Sequence, residues 1–501
     1  MKKLAVIELD TKSINLVLAN YNEKGQFVVY ERMNETIKLE VDPQNGNVKP
    51  IRVNEAIGVL EYYKKVITEN KSETIICFCT PRVERIKNYL MLLEEIYNLT
   101  GYEFSAYGEA YINLVHLCSF HTIEVSKGLL VNIENNNTYI IKYNRKNIVE
   151  SMVLDFGAET LAEMFENANL TPRERMDKMV AYCKEQLKAC DFLDAEDGEY
   201  KFIGMGKSFV NIAKICRLGT KYSFNRDHNY ELTQDVFSKS YKIIQDLDAD
   251  KTKKIKGIGS DRADIVASGT AIIKALFDEF YISEFRVCAT EIFEGVLYDY
   301  FSKTFGDKLY PEILTASLET CNYFYGDDTK VCERIYSIAN DLFDELRVLH
   351  RFTKHHNRIL KIASYMSLSG KRISYQNFEK NSLFVTQNSN IKGASHLEIL
   401  LAGFVAGSQN LDEFDINQWL VHRDIITDES YMEVVKKLAV LVKIARLIVK
   451  ISDAKHAICD VLGDNCILSV TTANGQAVNT NEIRSAVGDF KKAFKKNLQV
   501  L

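Results

Sequence analysis

The stretch GLLVNIENNNTYIIK (Gly128–Lys142) decides how the fold is read. An apolar run leads to Asn132, a polar turn follows at Glu134, Asn135, Asn136 and Asn137, and Thr138, Tyr139 and Ile140 resume an extended pattern. Two β-rich runs separated by a short polar cluster predict a hairpin. The chain opens with a companion, AVIELDTKSINLVL (Ala5–Leu18), in which a strand reaches Glu8, turns at Asp10 and Thr11, and returns beyond Ser13. Each hairpin stands at the start of one half of an α/β region. Strands such as TIICFCT alternate with helical patterns such as NEAIGVLEYYKKVITE. That alternation, begun twice, predicts a duplicated α/β lobe.

An ordered series of further blocks carries a resemblance. CTPRVERIKN (Cys79–Asn88), YGEAYINL (Tyr107–Leu114), the Asn132 hairpin, SMVLDFGAETLAEMF, GMGKSFVNIAK and SDRADIVASGTAII follow one another, and FEGVLYDYF and ASHLEILLAGFVA extend the series. Together they resemble the exopolyphosphatase/guanosine pentaphosphatase (Ppx/GppA) family. The resemblance implies an α/β protein with two actin-like lobes of the ribonuclease-H-like, sugar kinase/actin superfold. A helical HD-like domain and a small α+β C-terminal domain would follow. The expected boundaries are 1–122 and 123–300 for the lobes, 301–435 for the helical domain and 436–501 for the last domain.

The departures from the family pattern carry as much information as the match. Where the family has an Asp and a run of glycines in the second hairpin, this chain has Asn132, Glu134, Asn135 and Asn136; the Ser is Asn137 and the final Glu is Tyr139. In the first hairpin the Asp is Glu8, the Gly is Asp10 and the following Arg is Asn15. Glycines in such turns let backbone N–H groups approach phosphate oxygens. Carboxylates at Asp10 and Glu134 would repel an anion there by roughly a kcal/mol in water and several in a drier cleft.

The resemblance also implies roles. Phosphate contacts would come from Thr11 and Ser13 in the first hairpin, from Asn135, Asn136, Asn137 and Thr138 in the second, and from Gly204 and Gly206 in the turn GMGKS. That turn is not a P-loop, because the position of the first required glycine is Lys201. The family's general base lies in a block whose three carboxylate positions fall on Glu109, Ala110 and Tyr111, so Glu109 is the catalytic candidate. Taken alone it reads as a solvated loop carboxylate. If Mg²⁺ is bound, Glu8 and Glu134 would hold it. The second metal site that the HD-like resemblance implies falls on Val331, Ser367, Leu368, Tyr375, Glu379 and Asn381, where Val331 and Leu368 cannot ligate a divalent cation and Glu379 alone does not make a site. His350, His355 and His356 share one predicted helix but not one face, and read as surface or satisfied histidines.

Composition sets the outer limits. The chain has 501 residues and a net charge of -5, so nothing in the bulk charge calls for nucleic acid. The lysine clusters KTKKIK and KKAFKK read first as solvated faces. Eleven cysteines without paired spacings, and no apolar stretch behind a basic start, predict a reduced cytoplasmic protein that does not enter the membrane. Expected partners are polyphosphate or guanosine pentaphosphate, with a homodimer through the C-terminal half. Two functions follow. One is a member impaired in catalysis that binds a phosphate ligand or regulates. The other is an active phosphoanhydride hydrolase that uses relocated carboxylates. A plain sugar or acetate kinase of the wider superfold would leave the helical C-terminal half unexplained.

Overall fold

The computed structural model describes residues 2–39, 41–42, 45–166, 169–192, 200–255, 258, 263, 265–306, 312–408, 410–454, 456–470, 472 and 481–501. The chain falls into two compact units, one of residues 1–221 and 227–311 and one of 222–226 and 312–501. The block SDRADIVASGTAII is only partly described, since 260–262 and 264 lie outside those residues.

The first unit contains two sheets. Strands β1 (Lys2–Leu9), β2 (Ser13–Tyr21), β3 (Phe27–Thr36), β4 (Thr74–Cys79) and β5 (Phe104–Ser105) lie in the order β3-β2-β1-β4-β5. The first three pair antiparallel, whereas β4 and β5 run parallel to β1. The second sheet repeats this plan. Strands β6 (Lys127–Ile133), β7 (Thr138–Asn144), β8 (Asn147–Leu154), β9 (Lys201–Met205), β10 (Glu231–Thr233) and β11 (Glu284–Cys288) lie in the order β10-β11-β9-β6-β7-β8. Again an antiparallel meander continues into parallel strands, with β10 added antiparallel at the edge. Both hairpins expected from sequence therefore form, and each opens its sheet.

Strand period explains how the sheets pack. Along β1, Ala5, Ile7 and Leu9 join an outer core with the helices Pro50–Asn70 and Tyr89–Thr100, while Leu4 and Val6 face a central core. That central core draws on both sheets and on the helices Tyr111–Phe120 and Ile292–Phe305. These two helices meet closely at Gly295. A β-carbon there would lie 2.3 Å from the Leu114 carbonyl oxygen and 2.9 Å from Cys118 Sγ. The boundary expected at 300 falls inside helix Ile292–Phe305, because its apolar face, including Phe301, belongs to this core.

The second unit is helical, with a three-stranded sheet near its end. Strands β12 (Ala457–Leu462) and β13 (Asn465–Val470) form a hairpin around Gly463 (φ 58°), and β14 (Asn497–Val500) pairs parallel to β13. The pattern AICDVLGDNCILSVTT reads as strand-like and leads to a charged helix, but it signals neither the pairing of the two strands nor the last strand. The boundary expected at 436 lies inside helix Tyr431–Ile451, and residues of that helix share one core with Cys459, Cys466 and Phe490. The helix expected around the three histidines is broken. Helix Arg347–His350 ends at Arg351 (φ 57°), and a second, Lys354–Met366, starts behind Thr353. His350 is buried, donating from Nε2 to the Phe343 carbonyl at 2.7 Å and accepting from the Phe352 N–H at 2.8 Å, so it is a satisfied structural residue.

Gly295→Ala is expected to force the two central helices apart and to destabilise the first unit by about 1–3 kcal/mol. Urea denaturation checks this, and an unchanged midpoint would mean that the helices can separate freely.

Candidate active site

The first hairpin places Glu8 near the end of β1, Asp10 and Thr11 in the turn, and Ser13 at the start of β2. The Asp10 N–H donates to the Ser13 carbonyl at 2.9 Å and closes the turn. Thr80 Oγ1 donates to Asp10 Oδ1 at 2.7 Å, and Asn15 Nδ2 donates to Glu8 Oε2 at 2.9 Å. Asn15 in turn accepts from Asn34. The residue in place of the family's arginine therefore contributes an amide donor to Glu8.

The second hairpin is closed by the Glu134 N–H donating to the Asn137 carbonyl at 3.0 Å. Glu134 Oε1 accepts from Tyr111 Oη at 2.9 Å and from Asn132 Nδ2 at 2.9 Å. Asn132 is 1% exposed, and its Oδ1 is buried without a hydrogen-bond partner. Burial pushes the Glu134 carboxyl up to about 7; the donors Tyr111 and Asn132 oppose the rise and the Asp10 charge adds to it. Glu8 is likewise pushed up to about 7 by burial, with Asn15 opposing and Asp10, Glu134 and Glu291 adding to it. The charges of Glu8, Asp10 and Glu134 thus act on one another across the two hairpins, as groups near one site must. Burial, then the Glu134 charge, keeps the Tyr111 phenol protonated and able to donate.

The remaining candidates take varied positions. Thr11 and Asn136 line one cavity, so the two turns are brought together. The carbonyl of Ser13 is used within its own turn. The Asn135 carbonyl accepts from the Glu159 N–H at 2.7 Å, and the Glu134 carbonyl accepts from the Ala158 N–H at 2.9 Å, which ties the turn to the next helix. Asn137 and Thr138 point inward. Asn137 Nδ2 donates to the Leu154 carbonyl at 3.4 Å and Thr138 Oγ1 to the Phe156 carbonyl at 2.9 Å, so neither side chain is presented to a ligand. Gly204 lies in β9, where a β-carbon would strike the Phe209 ring at 2.2 Å; its role is packing. Gly206 (φ 92°) lets the chain pass the second hairpin, for a β-carbon there would lie 2.4 Å from the Ile133 carbonyl and 2.8 Å from Asn132 Oδ1.

Glu109 sits exposed in the short turn Gly108–Ala110. The residue two positions on, Tyr111, reaches the carboxylates instead. Its position was visible as a lost family acid, but its role as the Glu134 donor required the fold. Glu8 and Glu134 do not assemble with a third ligand: among the described residues no group of three His, Cys, Asp or Glu could hold a metal ion. In the helical unit, Ser367 is buried and donates to the Ser364 carbonyl at 2.9 Å, and Glu379 pairs with Arg446 at 3.1 Å.

Two duplicated lobes, each opening with a hairpin that carries acidic groups near its end, make up the first unit. Comparison gives the family. The sequence profile of the Ppx/GppA phosphatase family matches residues 18–304, more than half of the chain, and the protein belongs to that family. A bifunctional 3-dehydroquinate synthase/phosphatase of Fusobacterium nucleatum is 23% identical over 312 residues, 58% of this chain and 46% of that protein. The match therefore spans less than half of that relative. A putative exopolyphosphatase of Haemophilus influenzae is 20% identical over 60% of this chain and 91% of its own length. Among solved structures, the Aquifex aeolicus Ppx/GppA family member superposes with a TM-score of 0.53 at 19% identity, covering 60% of this chain and 98% of that one. An exopolyphosphatase from Cytophaga hutchinsonii gives 0.54 at 16% identity, with 60% and 98% covered. These two share a fold with 60% of this chain.

The raised Glu134 carboxyl makes a signed prediction. Relative to an unfolded value near 4.5, a folded value of about 7 contributes stability that is fully present below the unfolded value and lost as pH rises through the folded one. Glu134→Gln, which keeps an oxygen acceptor for Tyr111, should melt higher than wild type at about pH 8, by about 2–4 °C per kcal/mol gained, and close to wild type at about pH 5. Scanning calorimetry at the two pH values reads the difference; an equal shift at both would remove the titration as its cause.

Proposed function

We propose that this protein binds a phosphate chain in its interlobe cleft, is impaired in hydrolysis, and acts as a binding or regulatory member of its family. The observation that carries the reading is Asn132. At the hairpin position where the family resemblance implies an acid, a buried carboxamide spends its N–H on Glu134 and carries no charge. Phosphoryl transfer depends on positioning and on neutralising charge with metal and donors. A neutral amide supplies none of the charge that would fix a divalent cation.

The residues present do not fit Mg²⁺ as a resident cofactor. One Glu8 oxygen is held by Asn15, one Glu134 oxygen is held by two donors, and among the described residues no third His, Cys, Asp or Glu joins them as a ligand. Names of relatives support the ligand class: one is a putative exopolyphosphatase, and another, from Aeromonas salmonicida, is a guanosine-5'-triphosphate,3'-diphosphate pyrophosphatase, 24% identical over 32% of this chain. A cytoplasmic setting belongs to the same proposal, supported by eleven buried cysteines, none of which forms a disulfide among the described residues. So do the degenerate HD-like character of the helical unit and its use as a dimer face.

The second reading is an active exopolyphosphatase or guanosine pentaphosphate phosphohydrolase with relocated carboxylates. It is favoured by one observation, that Glu8, Asp10 and Glu134 lie within electrostatic reach of one another.

Phosphate release from long-chain polyphosphate with Mg²⁺ or Mn²⁺ separates the two. We expect no release above the protein-free control for wild type, none for Glu109→Ala, and a measurable gain for Asn132→Asp. Wild-type turnover that Glu109→Ala abolishes would establish the active reading instead.

A further inference from the structure

Beside the hairpin carboxylates the first unit contains a cavity of about 720 Å³, within the roughly 300–1,000 Å³ of small-molecule sites. Lys12, Lys38, Arg82, Arg85 and Lys87 line it, and among the described residues no Asp or Glu does. Such a gathering of one sign repels itself and concentrates anions. Thr11 and Asn136, from the two hairpin turns, also line it, so the cavity opens onto both turns.

Two carboxylates from the second lobe reach these cations. Glu159 accepts from Lys12 and lies 3.2 Å from Arg82, and Asp155 lies 3.0 Å from Arg85. The two pairings differ in kind. The Glu159 side chain is only 12% exposed; burial alone would raise its carboxyl, but Lys12 and Arg82 carry it below the ordinary range. The Asp155 side chain is 90% exposed, and a pair so open to water holds weakly. Both residues lie just beyond β8, and the Glu159 N–H is also fixed on the Asn135 carbonyl of the second hairpin turn. The carboxylate is therefore held where the hairpin turns meet the cations.

We propose that Glu159, assisted by Asp155, is an internal stand-in for ligand phosphates, latching the second lobe onto Lys12, Arg82 and Arg85, and that a linear phosphate chain binds by displacing it. The inference rests on the phosphate-binding reading above. A carboxylate brings one negative charge to two cations. A phosphate chain brings about one per unit and spans the remaining cations, Lys38 and Lys87, as well, so exchange favours the longer anion. The latch also selects, because an isolated small anion gains too little to replace both pairs.

The test is equilibrium binding of inorganic tripolyphosphate and, in a second arm, of GTP, which presents the same triphosphate on a nucleoside. Both are measured on the full chain without divalent cation, for wild type, Glu159→Gln, Glu159→Asp and Asp155→Asn. Glu159→Gln should tighten binding about fivefold or more and Asp155→Asn by about twofold or less. Glu159→Asp, which keeps the charge but withdraws it from Lys12 and Arg82, should fall between wild type and Glu159→Gln, and it serves should the glutamine variant fold poorly. The arm with the larger gain identifies the source of the chain. Wild-type binding with no gain in either Glu159 variant overturns the latch and leaves the binding reading standing. No binding by any of the four overturns both.

Discussion

A carboxylate buried between two lobes must be neutralised by a cation, by a proton or by hydrogen-bond donors, and Glu134 meets two donors. Tyr111 and Asn132 donate to the same oxygen, and burial keeps a proton in reach near neutral pH. The surrounding design follows from this. Asn15 treats Glu8 in the same way, Thr80 holds Asp10, and Gly206 gives up its side chain so that β9 can pass Asn132. In the function proposed, these bonds hold the hairpin acids as neutral or hydrogen-bonded groups. Cation capture would need them ionised and open.

Positive charge for the proposed phosphate ligand would then come from elsewhere, and the first lobe has it in Lys12, Lys38, Arg82, Arg85 and Lys87. The cations of the large cavity stand beside the hairpin turns and are partly quenched by Glu159 and Asp155 from the second lobe. The two halves of the unit are also joined by a shared apolar core around helices Tyr111–Phe120 and Ile292–Phe305. Apolar packing fixes the lobes at one side, and ion pairs meet across the cleft. Packing of that kind is insensitive to anions, whereas ion pairs are screened by salt and exchanged by competing charge.

Much of this was legible in the sequence because it rests on local periodicity. Both hairpins could be read from apolar runs broken by polar turns, and the duplicated lobe from the order of strands and helices. Asn132, Glu134 and Glu8 drew attention through their departure from a family pattern. What escaped the sequence depends on long-range placement. Glu159 meets Lys12 across 147 positions and Tyr111 meets Glu134 across 23, and nothing in either local pattern signals the partner. Asn137 and Thr138 looked like ligand contacts because they lie in the right turn, yet their side chains are buried and donate to the Leu154 and Phe156 carbonyls. The break at Arg351 and the final strand β14 were hidden for a related reason. A left-handed residue and a parallel partner are set by packing, which overrides local propensity.

The central claim, that the hairpin acids are satisfied by donors and protons and hold no resident metal, is tested most directly by titrating Mn²⁺ into the ligand-free protein and following free ion by electron paramagnetic resonance. The account predicts weak binding that does not saturate, unchanged in Glu134→Gln. A saturable site of one ion per chain, lost in Glu134→Gln, would contradict it.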